Sequence, residues 1–215
     1  MESDTMQTIP KTGEEKLAKL ISYLFHPLLM PTYGFAMLFF TRNYIATFTA
    51  PNIKLTILGI TFIFTFLLPA VNALILLKMG RIKSLQMETI NERVIMYIGT
   101  AMYYFALFYL FYSSGFPNIF RILILGAAIS IVLTAVISFK WKISAHAIGI
   151  GGIVGAILGI EYRLQLNFHL LLTLAIFIAG IVCYGRLKLN AHNPAQVYTG
   201  FLLGFLIELL LMIFY

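Results

Sequence analysis

His146 and His192 share a setting that the other two histidines of the chain lack. Each follows a short cation-bearing connection and stands at the start of a long apolar run. Before the first lie Lys140, Lys142 and Ser144; before the second lie Arg186 and Lys188, and after it Asn193, Pro194 and Gln196. Ser144 is a natural cap, and a helix beginning beside it leaves backbone N–H groups suited to a phosphate oxygen. Asn193 can cap and Pro194 is comfortable in a first turn, so a helix is expected to start just after His192, with the imidazole at its positive end. Arg93, in Asn91-Glu92-Arg93, heads a third apolar run. The chemistry this pattern offers is anion binding at a mouth made of helix starts. His26, in His26-Pro27, and His169, beside Phe168, are expected to be interfacial side chains.

The elements that must position these residues are membrane spans. Of 215 residues, 60% are hydrophobic and 11% charged, against roughly half apolar and a quarter charged in a soluble domain. Mean hydropathy is +0.92. Apolar runs at about 21–41, 55–77, 94–113, 119–138, 146–160, 168–184 and 197–215 are of a length to cross roughly 30 Å of hydrocarbon. The fold expected is all-α, a polytopic bundle of six to seven transmembrane helices over 20–215, behind a polar tail at 1–19. The run at 146–160 is short for a span and is expected to start below the interface. Pro27, Pro31 and Pro69 should kink the first two spans. The lone Cys183 excludes a disulfide framework. The net charge of +7 fits loops near anionic headgroups or an anionic substrate, with no domain left over for nucleic acid.

Alternation of seven spans places the tail and the loops at 78–93, 139–145 and 185–196 on one face. That face carries 11 of the 15 basic residues, all but Arg42, Lys54, Arg121 and Arg163, so the positive-inside rule makes it cytoplasmic. Two glycine ridges suggest how the histidines meet. Gly151, Gly155 and Gly159 repeat along one run, Gly200 and Gly204 along another, and both runs point the same way. Packing the ridges together would bring both imidazoles near one depth; small residues are also simply common in membrane helices.

Ser144-Ala145-His146 resembles the Ser-Gly-His element of the type 2 phosphatidic acid phosphatase superfamily, and Arg186 with His192 reproduces its Arg-x5-His spacing. Arg93 can stand for the arginine of the family's Lys-x6-Arg-Pro element, with Lys83 substituting for the lysine from a longer loop. The departures are Gln86 seven residues before Arg93, Val94 in place of the proline, Ala145 for the glycine, Gly185 for a serine, and Gln196 where an acid is expected. Gln196 shares a helix face with His192 and can orient it through the amide oxygen, but it cannot offset a positive charge on the ring.

The resemblance implies an integral-membrane phosphatase that hydrolyses a lipid phosphomonoester or pyrophosphate, such as phosphatidate, phosphatidylglycerophosphate or a polyprenyl pyrophosphate. His192 would form a phosphohistidine, and His146 would protonate the leaving group and then activate water. Arg93, Arg186, Ser144 and Lys83 would hold the phosphoryl oxygens. Neither metal nor other cofactor is expected, because the acids on that face are Glu88, Glu92 and those of the tail, with no ligand-spaced cluster. The partners expected are the lipid phosphate and membrane lipids, in a bacterial cytoplasmic membrane. The charge count puts the site inside, whereas many bacterial members of the family work at the outer surface. Two other readings remain open: a catalytically weakened member that only binds anionic lipid, and a transporter using Glu208, a carboxylate midway along the last span. Asn72 in the second span is expected to bond across helices.

Overall fold

The computed structural model describes residues 13–87 and 89–214. Most of the expected tail, residues 1–12, therefore lies outside the described residues. Among those described, seven helical segments are long and apolar enough to cross a membrane, and they alternate in direction as the loop count requires.

The first span is broken. Helix α1 (Gly13–Leu24) turns through a 3₁₀ segment at Pro27–Leu29 into α2 (Met30–Phe40). Pro27 and Pro31 each sit in the first turn of the element that follows the break, where a missing N–H costs nothing. Helix α1 starts inside the stretch expected to be tail. It buries Ala18 and Ser22 while Leu17, Leu20 and Tyr23 stay exposed, and it packs along the sixth span.

After the short helix α3 (Tyr44–Phe48), the second span runs as α4 (Pro51–Phe62), a π segment at Ile63–Leu67, and α5 (Leu68–Lys78). The π segment is the local answer to Pro69, which has no N–H for the carbonyl of Thr65 four residues back. Helix α6 (Ile90–Ser113) opens with a capping box in which Thr89 and Glu92 exchange side-chain and backbone bonds. Asn72 stands opposite Gly99 of α6, where a Cβ would come within 2.7 Å of its Nδ2. Helix α7 (Asn118–Ser138) lies chiefly against α6.

Helices α8 (Ala145–Leu164), α9 (His169–Lys188) and α10 (Pro194–Phe214) complete the bundle. The span expected to be short is not: its 20 residues rise about 30 Å. Its polar end, Glu161 to Arg163, remains helical because Arg163 Nη1 donates to the carbonyl of Met212 at 3.2 Å, tying it to the last turn of α10. Helix α8 is the most buried span and packs most extensively on α10.

The two glycine ridges do face each other. A Cβ on Gly151 or Gly155 would strike the carbonyls of Phe201 or Phe205, and one on Gly204 would strike the carbonyl of Ile148. Position 151 thus lies beside 201 and 155 beside 205, the register of two parallel helices. At the mouth the Ser144 N–H donates to the Gln196 carbonyl at 3.2 Å. This fixes where the two histidine-bearing helix starts stand relative to one another.

Candidate active site

Arg186, in the last turn of α9, is the centre of a polar cluster at this mouth. Its Nη1 donates to Ser22 Oγ at 3.1 Å, whereas its Nε is buried without a hydrogen-bond partner. The ion pairs between described residues are His169 with Glu161 and Lys188 with Glu14, and neither involves Arg186. A partly buried guanidinium with an unused donor and, among the described residues, no carboxylate paired to it can take an anion.

His192 reaches the same charge from the α9–α10 loop. Asn193 Oδ1 accepts from Gln196 N at 2.9 Å, and Gln196 Oε1 accepts in return from Asn193 N at 3.2 Å. This reciprocal cap settles which end of the Gln196 amide is oxygen. That oxygen also stands 3.2 Å from His192 Nδ1, and the Lys142 backbone carbonyl is a further acceptor near the ring; in the tautomer with Nδ1–H on Gln196, Nε2 keeps its lone pair. Burial first, and the Arg186 charge second, push the His192 pKa down to about 4.

His146, in the first turn of α8, has the opposite tautomer. Its Nε2 lies 3.1 Å from the carbonyl oxygen of Ser22, an acceptor only, so Nε2 is the protonated nitrogen. Ser22 therefore holds two members of the cluster at once, Arg186 through its hydroxyl and His146 through its carbonyl. The ring of His26 stands edge-on to that of His146, with centroids 5.7 Å apart. His26 Nδ1 accepts from Leu28 N at 3.3 Å, which leaves its proton on Nε2. The Arg186 charge is felt at His26, His146 and His192 alike, and His146 also feels His192.

The expected site residues thus divide. Arg186, His146, His192 and Gln196 come together. Ser144 is at the same mouth but fully buried, with its hydroxyl accepting from Ala147 N at 3.4 Å; what the structure shows for it is helix capping. Arg93, at the head of α6, directs Nη1 to the carbonyl of Met87 at 3.4 Å, and α6 packs chiefly on α7 and the second span. Lys83 is exposed, and its backbone N–H binds Glu92 Oε1 at 3.0 Å, so Glu92 is committed to the loop and cap. Glu88 lies outside the described residues.

Two residues of the cluster had no place in the sequence pattern. His26 was expected to be merely interfacial, and Ser22 was not singled out. Ser22 carried a signal, a polar side chain on the buried side of an amphipathic segment; His26 carried none, because α1 ends at Leu24 and the extended backbone at His26 belongs to the turn that follows. His169 is exposed as expected, its Nδ1 2.9 Å from Glu161 Oε1.

Glu208 is apart from all of this. It is 5% exposed, in the notch left by Gly126 of α7 and Gly152 of α8, and its Oε2 has no partner. Twelve residues separate it from Gln196, about 18 Å along α10. Helices α8 and α10 run unbroken past their glycines, without the unwound mid-span turns expected of a carrier. Among the described residues, no group of three or more His, Cys, Asp or Glu side chains is arranged to hold a metal ion.

Residues 134–215 match the PAP2 superfamily. The match bears out the resemblance to the family, and Ser144-Ala145-His146 and Arg186 with His192 lie within the matched residues. Arg93 and Lys83 precede it. PAP2 superfamily members are phosphatases, and the seven apolar spans fit a membrane phosphatase. No curated protein and no solved structure matches the chain significantly.

Proposed function

We propose that the chain is a lipid phosphatase acting on a phosphomonoester or pyrophosphate headgroup, such as that of phosphatidate, phosphatidylglycerophosphate or a polyprenyl pyrophosphate. The observation that carries this is the Arg186 guanidinium, paired with no carboxylate among the described residues and with Nε unbonded, beside two imidazoles of opposite tautomer. A phosphoryl group supplies the missing acceptors and charge.

In the reaction, His192 Nε2 donates its lone pair to phosphorus while Nδ1–H stays on the Gln196 amide oxygen. The bond from phosphorus to the lipid or phosphate oxygen breaks, and that oxygen takes a proton from Nδ1 of His146, which enters the step as an imidazolium beside the anionic substrate and is left as the neutral ring with Nε2–H on the Ser22 carbonyl. Water then attacks the phosphohistidine, His146 accepts its proton, and inorganic phosphate leaves with His192 restored. Arg186 stabilises the charge on the equatorial oxygens throughout. For Arg93 and Lys83 to join as further phosphate ligands, their loop has to approach the mouth. Ser144 contributes by exposing the N-terminal amides of α8, and no metal or cofactor is assigned a step.

A second reading rests on Gln196. A neutral amide is a weak counterpart for an imidazolium, which suits a member of the family that binds anionic lipid and turns it over slowly or not at all.

The test is phosphate release from a panel of lipid phosphates by purified protein. His192→Ala should abolish release, and His146→Ala should lower it by roughly 10²–10⁴. Unaltered release in both variants overturns the assignment. Binding of the same lipids without release supports the second reading.

A further inference from the structure

We propose that a groove walled by the first span, α8 and α9 holds one hydrocarbon chain of the substrate, an inference that rests on the phosphatase assignment. The groove encloses about 340 Å³, within the range of small-ligand sites. Leu24, Phe25, Met30, Ile150, Ala175 and Ile178 are among its walls. The hydroxyl of Tyr33, which also lines it, already donates to the Leu24 carbonyl at 2.8 Å. The groove therefore offers a ligand apolar contact and no free polar group.

The occupant follows from what adjoins the groove. The three elements that form it are the three that carry Ser22 and His26, His146, and Arg186. Phe25 is the chain neighbour of His26. Ile150 lies one helical turn below His146, and Ile178 about 12 Å along α9 from Arg186. A chain attached to an anion on Arg186 would enter the groove one to about two helical turns further along these elements. A narrower void of about 20 Å³ shares Met37 and Ile153 with the groove and reaches Ile160. From Ile150 to Ile160 is about 15 Å along α8. The 20 Å³ void is too small for a methylene chain, so the space for one is the groove itself, which owes its width to Ala36 and Ala175. It suits a single chain attached to a phosphate, not a bulky ring or a pair of chains side by side.

The test pairs two substrates with two variants that leave the polar cluster intact. Ala175→Phe and the milder Ala36→Leu should each lower kcat/KM for a long-chain alkyl phosphate by about tenfold or more, while that for p-nitrophenyl phosphate stays within about twofold. Equal loss for both substrates, or loss for neither, overturns the proposal. A second measurement does not need turnover: an alkyl phosphate with a diazirine in its chain is photolysed on the wild-type protein and the adducts are mapped. Adducts at Met30, Ile150 or Ala175, competed by unlabelled alkyl phosphate, support the groove. Adducts spread over the lipid-facing surface sink it, even if hydrolysis is intact. Adducts in the groove without hydrolysis of any lipid phosphate sink the phosphatase assignment instead and leave the chain site standing.

Discussion

The amide oxygen of Gln196 stands 3.2 Å from Nδ1 of His192 and accepts a hydrogen bond from it. The contact sets the tautomer that frees Nε2, yet it brings no negative charge to the ring that becomes cationic as phosphorus is attacked. Gln196→Glu keeps the reach of the side chain and supplies that charge. Turnover should rise by about tenfold or more, still short of the roughly 10⁴ that separates acid from amide in a triad built around the acid. The readout is steady-state phosphate release on one lipid phosphate. A fall in kcat with the fold intact would mean that the carboxylate destroys the cap with Asn193 instead of serving the imidazole.

Acid should harm this protein through His192 in a definite window. Its folded pKa is about 4, against about 6.5 in an unfolded chain. Between those values the unfolded chain binds more protons, so stability present above about pH 6.5 is lost as pH falls towards 4. The free protein keeps its nucleophile neutral through the same window, so this group places the acid limb of kcat/KM near 4. Thermal unfolding in detergent across this range checks the first statement, and His192→Gln should flatten the slope. The kcat/KM profile of the wild type checks the second.

Arg186 and Ser22 can be separated by substitution. Arg186→Lys retains a charge but loses the planar fork and the Nε donor, and it should cost roughly 10- to 100-fold in kcat/KM. Ser22→Ala removes the hydroxyl that occupies Nη1 while leaving the carbonyl on His146. KM for the lipid phosphate should stay level or fall, because the guanidinium gives up one competing acceptor. A large rise in KM would show that Ser22 holds Arg186 in its working position.

The glycine ridges make a prediction about packing. At Gly204 a Cβ would run into the Ile148 carbonyl and come 2.9 Å from Gly152 N, so Gly204→Ala should force α8 and α10 apart at about 1–3 kcal/mol. Gly180 has nothing within 4 Å of its Cβ position. Gly180→Ala should be silent, and the difference in melting temperature between the two variants is the measurement.

What was legible in the sequence was whatever a helix repeats. Seven apolar runs, the caps at Ser144 and Asn193, and the four-residue glycine ridges are periodic or local signals, and each appears in the bundle. So does the convergence of His146, His192 and Arg186, because parallel packing of two ridges fixes depth. Less legible was anything that depends on a break. The first span turns at Pro27, and only that turn brings His26 back onto His146 and lets Ser22 bind both His146 and Arg186. The length of α8 was underestimated for a related reason. Glu161 and Arg163 look like loop residues until partners on α9 and α10 are there to accept them. For Arg93 and Lys83 the motif spacing was imperfect, and the structure gives their loop to Glu92 and Met87.

The bond between Ser144 N–H and the Gln196 carbonyl, backed by the ridges below it, makes phase more important than side-chain identity along these helices. One residue inserted between His146 and Gly151 would swing the imidazole about 100° around the α8 axis, because the packed glycines cannot slide to follow. The same holds between Gln196 and Gly200. Length in these two short stretches is therefore expected to be the least variable property of the site, more rigidly kept than Ala145, Gly185 or even the residue that orients the nucleophile.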